Sequence, residues 1–264
     1  MNLGLKGKVA LVTGAGKGMG QKIALRLAQE GCDLVLNDLK EEFCEETSKR
    51  VREYGARILT VGADVSSGPA VRTMFERVKS EMGRLDILVN NAGLLKPCNI
   101  LDLPEEEWDT LVNVNLKSVY LCSRAAAAMM KDLGGGVIAN ASSFTAVIPS
   151  IGLGAYGAAK AAVANLTRTM AGELAPYGIR VFGYIPGVIE TDLTKHMREQ
   201  NLEGLVEPIA LRRCGKAEEV ADVVVFLCSD AARYITGTLV EISGGKFCVQ
   251  NAGSVWKRVE AKGS

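Results

Sequence analysis

Three features of the chain predict an α/β fold, a single doubly wound domain built on a parallel sheet of about seven strands with helices on both faces. Short apolar runs alternate with longer amphipathic stretches from Val9 to Ile242. The runs are continuous in polarity rather than alternating, as strands covered on both faces require. A glycine cluster follows the first run directly, where a strand would turn into a helix.

The first strand is expected at residues 9–12. The helix after it runs over 21–29, where Ile23, Ala24, Leu27 and Ala28 recur at helical spacing. Residues 33–37 form the second strand and a charged helix follows over 41–53. A strand at 57–63, a helix near 71–82 and a strand at 87–90 come next. A long helix is expected over 105–131; Pro104 suits its first turn and the glycines at 134–136 its end. A strand at 137–141, an Ala-rich helix at 156–175, a strand at 180–185, a helix at 218–228 and a strand at 238–242 complete the alternation. The catalytic domain is expected over 1–245. Residues 246–264 form a polar tail without clear periodicity, in which Phe247 and Trp256 suit either a subunit interface or a frayed terminus.

Composition narrows the function. Hydrophobic residues make up 48% and charged residues 23% of 264, which is globular. The net charge of +1 advertises no nucleic-acid or membrane partner. The seven cysteines lack C-x-x-C spacing and read as reduced thiols, not a disulfide frame or zinc site. His196 is the only histidine, which removes most Ser-His-Asp, Cys-His and His-metal schemes. No metal is expected. No signal peptide or bilayer-length apolar run is apparent, so the expected location is cytoplasmic.

Gly14, Gly18 and Gly20, with Lys17 and Met19 between them, stand at the first strand-to-helix turn. Glycines there let backbone N–H groups approach a pyrophosphate at a helix N-terminus. Asp38 lies at the end of the second strand, 18 residues beyond Gly20. A carboxylate there can accept both adenosine ribose hydroxyls and would repel a 2′-phosphate. Repulsion of two unit charges at ~4 Å amounts to about 4 kcal/mol at an effective dielectric near 20. Lys17 argues the other way, as a possible 2′-phosphate partner, but an exposed ammonium gains only ~1 kcal/mol or less. NAD is therefore the expected cofactor, with NADP disfavoured, and Lys17→Ala should matter only for NADP.

Tyr156 and Lys160 are one helical turn apart, so their side chains share a face. A phenol titrates near ~10 and is a poor base at neutral pH; a nearby ammonium favours its phenolate.

With these residues in place the chain resembles the short-chain dehydrogenase/reductase family, in its compact branch of about 250 residues. The resemblance rests on Thr13-Gly14-x-x-x-Gly18-x-Gly20, Asp64-Val65, Asn90-Asn91-Ala92-Gly93, Asn115, Ser143, Tyr156-x-x-x-Lys160, Pro186-Gly187 and Thr191, in the family's order. It implies a Rossmann-type fold and a set of roles. Tyr156 exchanges a proton with the substrate oxygen. Lys160 lowers its pKa and bonds the nicotinamide ribose. Ser143, 13 residues before Tyr156 and preferred over its neighbour Ser142, donates to the developing oxyanion. Asn115 holds a water that relays protons to Lys160. Asp64 and Val65 lie beside the adenine, and Asn91, Ala92 and Gly93 line the adenosine side. Pro186, Gly187, Ile189 and Thr191 border the nicotinamide. One departure is Phe182, where the family usually has a structural Asn.

The resemblance implies an NAD(H)-dependent oxidoreductase that interconverts a secondary alcohol and a ketone, as a homotetramer in the family's manner. The alternative is an NADPH-dependent 3-oxoacyl-carrier-protein or acyl-CoA reductase. Asp38 speaks against NADPH, and the two arginines with which such reductases dock an acidic carrier protein fall at Ala128 and Gly172, although Lys131 and Arg168 are close by. The expected substrate wall is Leu94, Leu95, Phe144, Ile148, Leu153, Tyr184, Ile189 and a mobile segment over 193–205, bordered by Lys96, Lys195 and His196. A silent dinucleotide-binding regulator and a purely structural subunit are the rivals from other classes; the complete Asn115, Ser143, Tyr156 and Lys160 set speaks against both.

Overall fold

The structure, a computed structural model, describes residues 3–246 and 248–263. Seven parallel strands form one sheet: β1 (Val9–Thr13), β2 (Asp33–Asp38), β3 (Ile58–Gly62), β4 (Ile87–Asn90), β5 (Gly136–Ala141), β6 (Ile179–Pro186) and β7 (Leu239–Ile242). Their spatial order is β3-β2-β1-β4-β5-β6-β7. The order reverses between β1 and β4, and a ligand crevice opens at the carboxyl ends of strands at such a switch point.

Each strand is apolar along its length because alternate residues enter two different cores. Ala10 and Val12 pack with Leu34, Leu36, Ile87 and Val89 on one face. Val9, Leu11, Val35 and Leu88 pack on the other. Helices α1 (Gly18–Gln29), α2 (Glu45–Arg52) and α8 (Ala217–Cys228) cover the first face; α3 (Gly68–Arg77), α5 (Ser118–Asp132) and α6 (Gly154–Leu174) cover the second. Phe182, in place of the family's usual Asn, is fully buried in the first core.

The long helix expected over 105–131 is present with one irregularity. Helix α4 (Glu105–Val112) continues into α5 through a π turn at Asn113–Lys117. Such single wide turns open the backbone ladder and frequently mark functional positions.

Two helices were not foreseen. The segment 193–205 is helical, forming α7 (Asp192–Val206) with a break at Asn201, whose φ of −157° and ψ of 76° are not helical, and α9 (Ser254–Gly263) forms in the tail. Trp256 donates its indole N–H to the Ala210 carbonyl at 3.0 Å, so it docks on its own chain while staying partly exposed. Phe247, the other aromatic of that expectation, lies outside the described residues. Among the described residues, no helix is long and apolar enough to cross a membrane.

Candidate active site

Two adjoining depressions open at the carboxyl ends of the strands. The larger is a groove of about 500 Å³ lined by Gly14, Lys17, Gly18, Met19, Asp38, Asp64, Val65, Asn91, Ala92, Gly93 and Thr191. The smaller, about 120 Å³, is lined by Ser143, Tyr156, Lys160, Pro186, Gly187 and Ile189. Met19, Asn91, Gly93, Thr191 and Leu193 border both, so the two form one continuous site. Sequence reasoning overlooked Leu39 and Val114 in the groove and Thr145 and Val188 in the pocket; the pocket is also lined by Thr194 and Met197, which fall within the expected segment 193–205. The last two lie on α7, whose helical character was not read.

The groove is shaped by close backbone packing. Gly20 lies buried in the first turn of α1, where a Cβ would stand 2.1 Å from the Gly14 carbonyl oxygen and 2.6 Å from Asn91 Nδ2. No side chain fits there. Asn91 fastens the turn to β4, donating from Nδ2 to the carbonyls of Thr13 and Gly14 at 3.1 and 3.2 Å. Thr13 Oγ1 accepts the backbone N–H groups of Asn91 and Ala92, both at 3.0 Å.

Asp38 stands at one end of the groove. Its Oδ2 accepts the Gly16 N–H at 3.0 Å and its Oδ1 the Leu39 N–H at 2.9 Å. An ionised carboxylate has about four acceptor positions, so capacity remains for ribose hydroxyls. Asp64 Oδ1 accepts the N–H and hydroxyl of Ser66 at 2.9 and 2.7 Å, which fixes the loop beside Val65. Lys17 does not turn towards Asp38. Its Nζ lies 3.0 Å from Asp192 Oδ2, and this pair lowers the Asp192 pKa. Opposite charge draws the ammonium across to the start of α7.

In the smaller pocket Lys160 is buried and donates from Nζ to the Ala141 carbonyl at 2.9 Å. Burial pulls its pKa down to about 8. Its Nζ lies 5.7 Å from the centre of the Tyr156 ring. For Tyr156 itself, burial pushes the phenol up and the hydrogen bond with Ser143 pulls it back. Ser143 supplies the pull that opposes burial, and the Lys160 ammonium lies on the same side of the ring. The Ser142 hydroxyl is committed to the Lys160 carbonyl at 3.0 Å, which leaves Ser143 as the serine beside Tyr156.

Asn115 sits in the π turn, fully buried, and lines neither depression. Its Nδ2 donates to the carbonyls of Leu94 and Leu111 at 2.8 and 2.9 Å, and its Oδ1 accepts the Leu94 N–H at 3.2 Å. A Cβ on Gly93 would stand 3.0 Å from Asn115 Oδ1 and 3.6 Å from Lys160 Nζ. Gly93 is thus the spacer that lets the amide and the ammonium face the same small volume.

Among the other wall residues, Leu94 lines the groove, and Leu95, Phe144, Leu153 and Leu193 line the pocket. Tyr184 does not. It is completely buried in the first core, with its hydroxyl donating to Asn91 Oδ1 at 3.3 Å. It lies two residues deeper in β6 than Pro186, the strand's pocket-lining residue, and its side chain is enclosed by the core.

Comparison with known proteins agrees with this geometry. A family profile described as Enoyl-(Acyl carrier protein) reductase matches residues 14–246. The 3-oxoacyl-[acyl-carrier-protein] reductase FabG of Thermotoga maritima is 37% identical over 91% of this chain and 98% of its own length. The (3R)-3-hydroxyacyl-CoA dehydrogenase of Mus musculus is 39% identical over 93% of this chain and 98% of its own. A solved short-chain type dehydrogenase/reductase from Mycobacterium marinum superposes with a TM-score of 0.89 at 35% identity, covering 94% of this chain and 98% of that one.

Proposed function

The chain belongs to the short-chain dehydrogenase/reductase family of oxidoreductases acting on CH–OH groups, and from that premise we propose that it interconverts a 3-hydroxyacyl and a 3-oxoacyl thioester with NAD(H). Two relatives whose names denote 3-oxoacyl or 3-hydroxyacyl chemistry, each matching nearly the whole chain, favour an acyl thioester over a simple secondary alcohol. The cofactor choice is carried by one observation. Asp38 lines the groove with a carboxylate already held by two backbone N–H groups, so it cannot turn aside for a 2′-phosphate without losing both. The exposed positions Ala128 and Gly172 carry no charge, which favours a coenzyme A thioester over an acidic carrier protein.

The residues fit a nicotinamide dinucleotide. A side chain at Gly20 would collide with the turn, and Gly14 and Gly18 adopt φ of 62° and 58°, so this turn is built to bring backbone close to a ligand. Asp38 would hold the adenosine ribose, the turn at residues 14–20 the pyrophosphate, and Lys160 the second ribose. When bound, the nicotinamide supplies or accepts the hydride at the substrate carbon.

The chain's own residues handle the proton. In the reducing direction Tyr156 gives its phenolic proton to the substrate oxygen, and in the oxidising direction it takes that proton back. Ser143 donates a hydrogen bond to the same oxygen as charge develops on it. Lys160, tied to Ala141, holds a positive charge beside the phenol when protonated. Asn115 fixes the Leu94 strap and the π turn behind Lys160, and any proton relay through a water at this end runs past it. Leu95, Phe144 and Leu153 give the acyl chain an apolar wall and exclude water from the reacting carbon. A homotetramer in the family's manner is part of the same reading.

A panel of 3-hydroxyacyl-CoA thioesters and plain secondary alcohols, assayed with NAD by the absorbance of the reduced cofactor, tests the substrate class. Turnover should be greatest with the thioesters. Turnover of plain alcohols with none on any thioester would overturn it.

A further inference from the structure

Within the pocket, Thr145 is a buried residue to which the family resemblance gives no role. Its backbone N–H donates to Ser143 Oγ at 3.2 Å and its Oγ1 donates to the same oxygen at 3.0 Å. It sits two residues beyond Ser143 in a single 3₁₀ turn at Phe144–Ala146 that Ser143 caps. A serine oxygen has two acceptor lone pairs and one proton to give. Thr145 fills both lone pairs. The serine proton then has only one use, donation, into the pocket that Ser143 lines together with Tyr156.

From this geometry we infer that Thr145 is a positioning residue that fixes Ser143 as a one-way donor towards Tyr156 and the substrate oxygen. Without the threonine hydroxyl, one lone pair of Ser143 is open. Ser143 could then accept the Tyr156 proton, the wrong polarity for stabilising an oxyanion. With it, the chain of bonds runs Thr145 to Ser143 to the reacting oxygen, and each donor strengthens the next. Thr145 is buried, so no water competes for its place. Thr145 Oγ1 as donor is the direction in which Ser143 keeps its proton for the reacting oxygen.

The inference rests on the role of Ser143 proposed above, and the test separates the two. Five proteins are compared: unmutated, Thr145→Val, Ser143→Ala, the double variant, and Thr145→Ser as the conservative control. Valine keeps the shape and the backbone N–H bond and removes only the hydroxyl. Thr145→Val should lower kcat about tenfold, which corresponds to ~1.4 kcal/mol, with the KM for NADH and the melting temperature little changed. The pH at which oxidation reaches half its maximum should move upward, because Ser143 no longer donates reliably to the phenolate. Thr145→Ser should recover most of the loss. In the Ser143→Ala background Thr145→Val should have no further effect on kcat. Full activity of Thr145→Val, or a tenfold loss that persists when Ser143 is already absent, would overturn the inference. Normal kcat in Ser143→Ala alone would instead overturn the proposed role of Ser143.

Discussion

Lys17 Nζ and Asp192 Oδ2, 3.0 Å apart, join the start of α1 to the start of α7 across the rim of the cofactor groove. Both side chains are more than two-thirds exposed, at 76% and 70%, so water and salt screen the pair and it contributes little on its own. Because the ammonium faces Asp192 and not Asp38, it should not discriminate between cofactors. Lys17→Ala should change the KM for NAD and for NADP by the same factor, within about threefold, as loss of an exposed pair does. Steady-state kinetics with both cofactors checks this; a change confined to NADP would restore the role that the sequence alone suggested.

Tyr156→Phe removes the proton that the reaction exchanges and leaves the ring in place. Loss of a positioned acid/base costs about 10²–10⁴-fold in rate. We expect kcat to fall by that amount while the dissociation constant of NADH, followed by fluorescence, stays within a factor of about two, because the phenol is not what holds the cofactor. Near-normal turnover would remove Tyr156 from the mechanism.

Lys160 links stability to pH. Its folded pKa is about 8, whereas an exposed lysine titrates near ~10.4. Between those values the unfolded chain binds more protons than the folded one, so stability rises with pH. Below about 8 both states are protonated and the slope from this residue vanishes, with the full cost of burying the ammonium then present. Tyr156, raised by burial, acts in the opposite sense only above its ordinary value near ~10. The buried thiols of Cys32, Cys44, Cys122 and Cys228, pushed up to about 12 by burial, act in the opposite sense over the same range, because they ionise near ~8.5 only when unfolded. The Lys160 contribution is therefore read as a difference: from about pH 7.5 to 9.5 the urea midpoint of the unmutated protein should rise relative to that of Lys160→Met.

Asn115 is expected to matter for folding as well as for catalysis. Replacing it by Leu leaves the Leu94 N–H and the carbonyls of Leu94 and Leu111 without their present partners. Unpaired buried groups of this kind cost about 1–3 kcal/mol each, so denaturant unfolding should reveal a loss of about 2 kcal/mol or more. A smaller loss would show that the strap at Leu94 is held by other contacts.

Much of this architecture was legible in the chain itself. The seven strands stood out because a strand covered on both faces is apolar at every position, and such runs bounded by glycine read clearly. Asp38, Ser143, Tyr156 and Lys160 were readable because each holds a fixed position relative to a strand end or a helix turn. Helix α7 was not, since none of its residues is fully buried and its sequence lacks an apolar stripe. The π turn around Asn115 was hidden for a different reason: one extra residue per turn leaves no mark on composition, and only the hydrogen bonds to Leu94 and Leu111 reveal it. Tyr184 was assigned to the pocket because the sequence does not show how far down β6 the pocket reaches; it stops at Pro186. The pairing of Lys17 with Asp192 was not legible, because the two are remote in sequence.

The central claim is that Asp38 makes this an NAD(H) enzyme, and the ratio of kcat/KM for NADH to that for NADPH, with a 3-oxoacyl-CoA at saturation, tests it most directly. A preference for NADH of at least about tenfold is expected, which requires only ~1.4 kcal/mol of the repulsion between Asp38 and a 2′-phosphate. A ratio that favours NADPH in the unmutated protein would contradict the account.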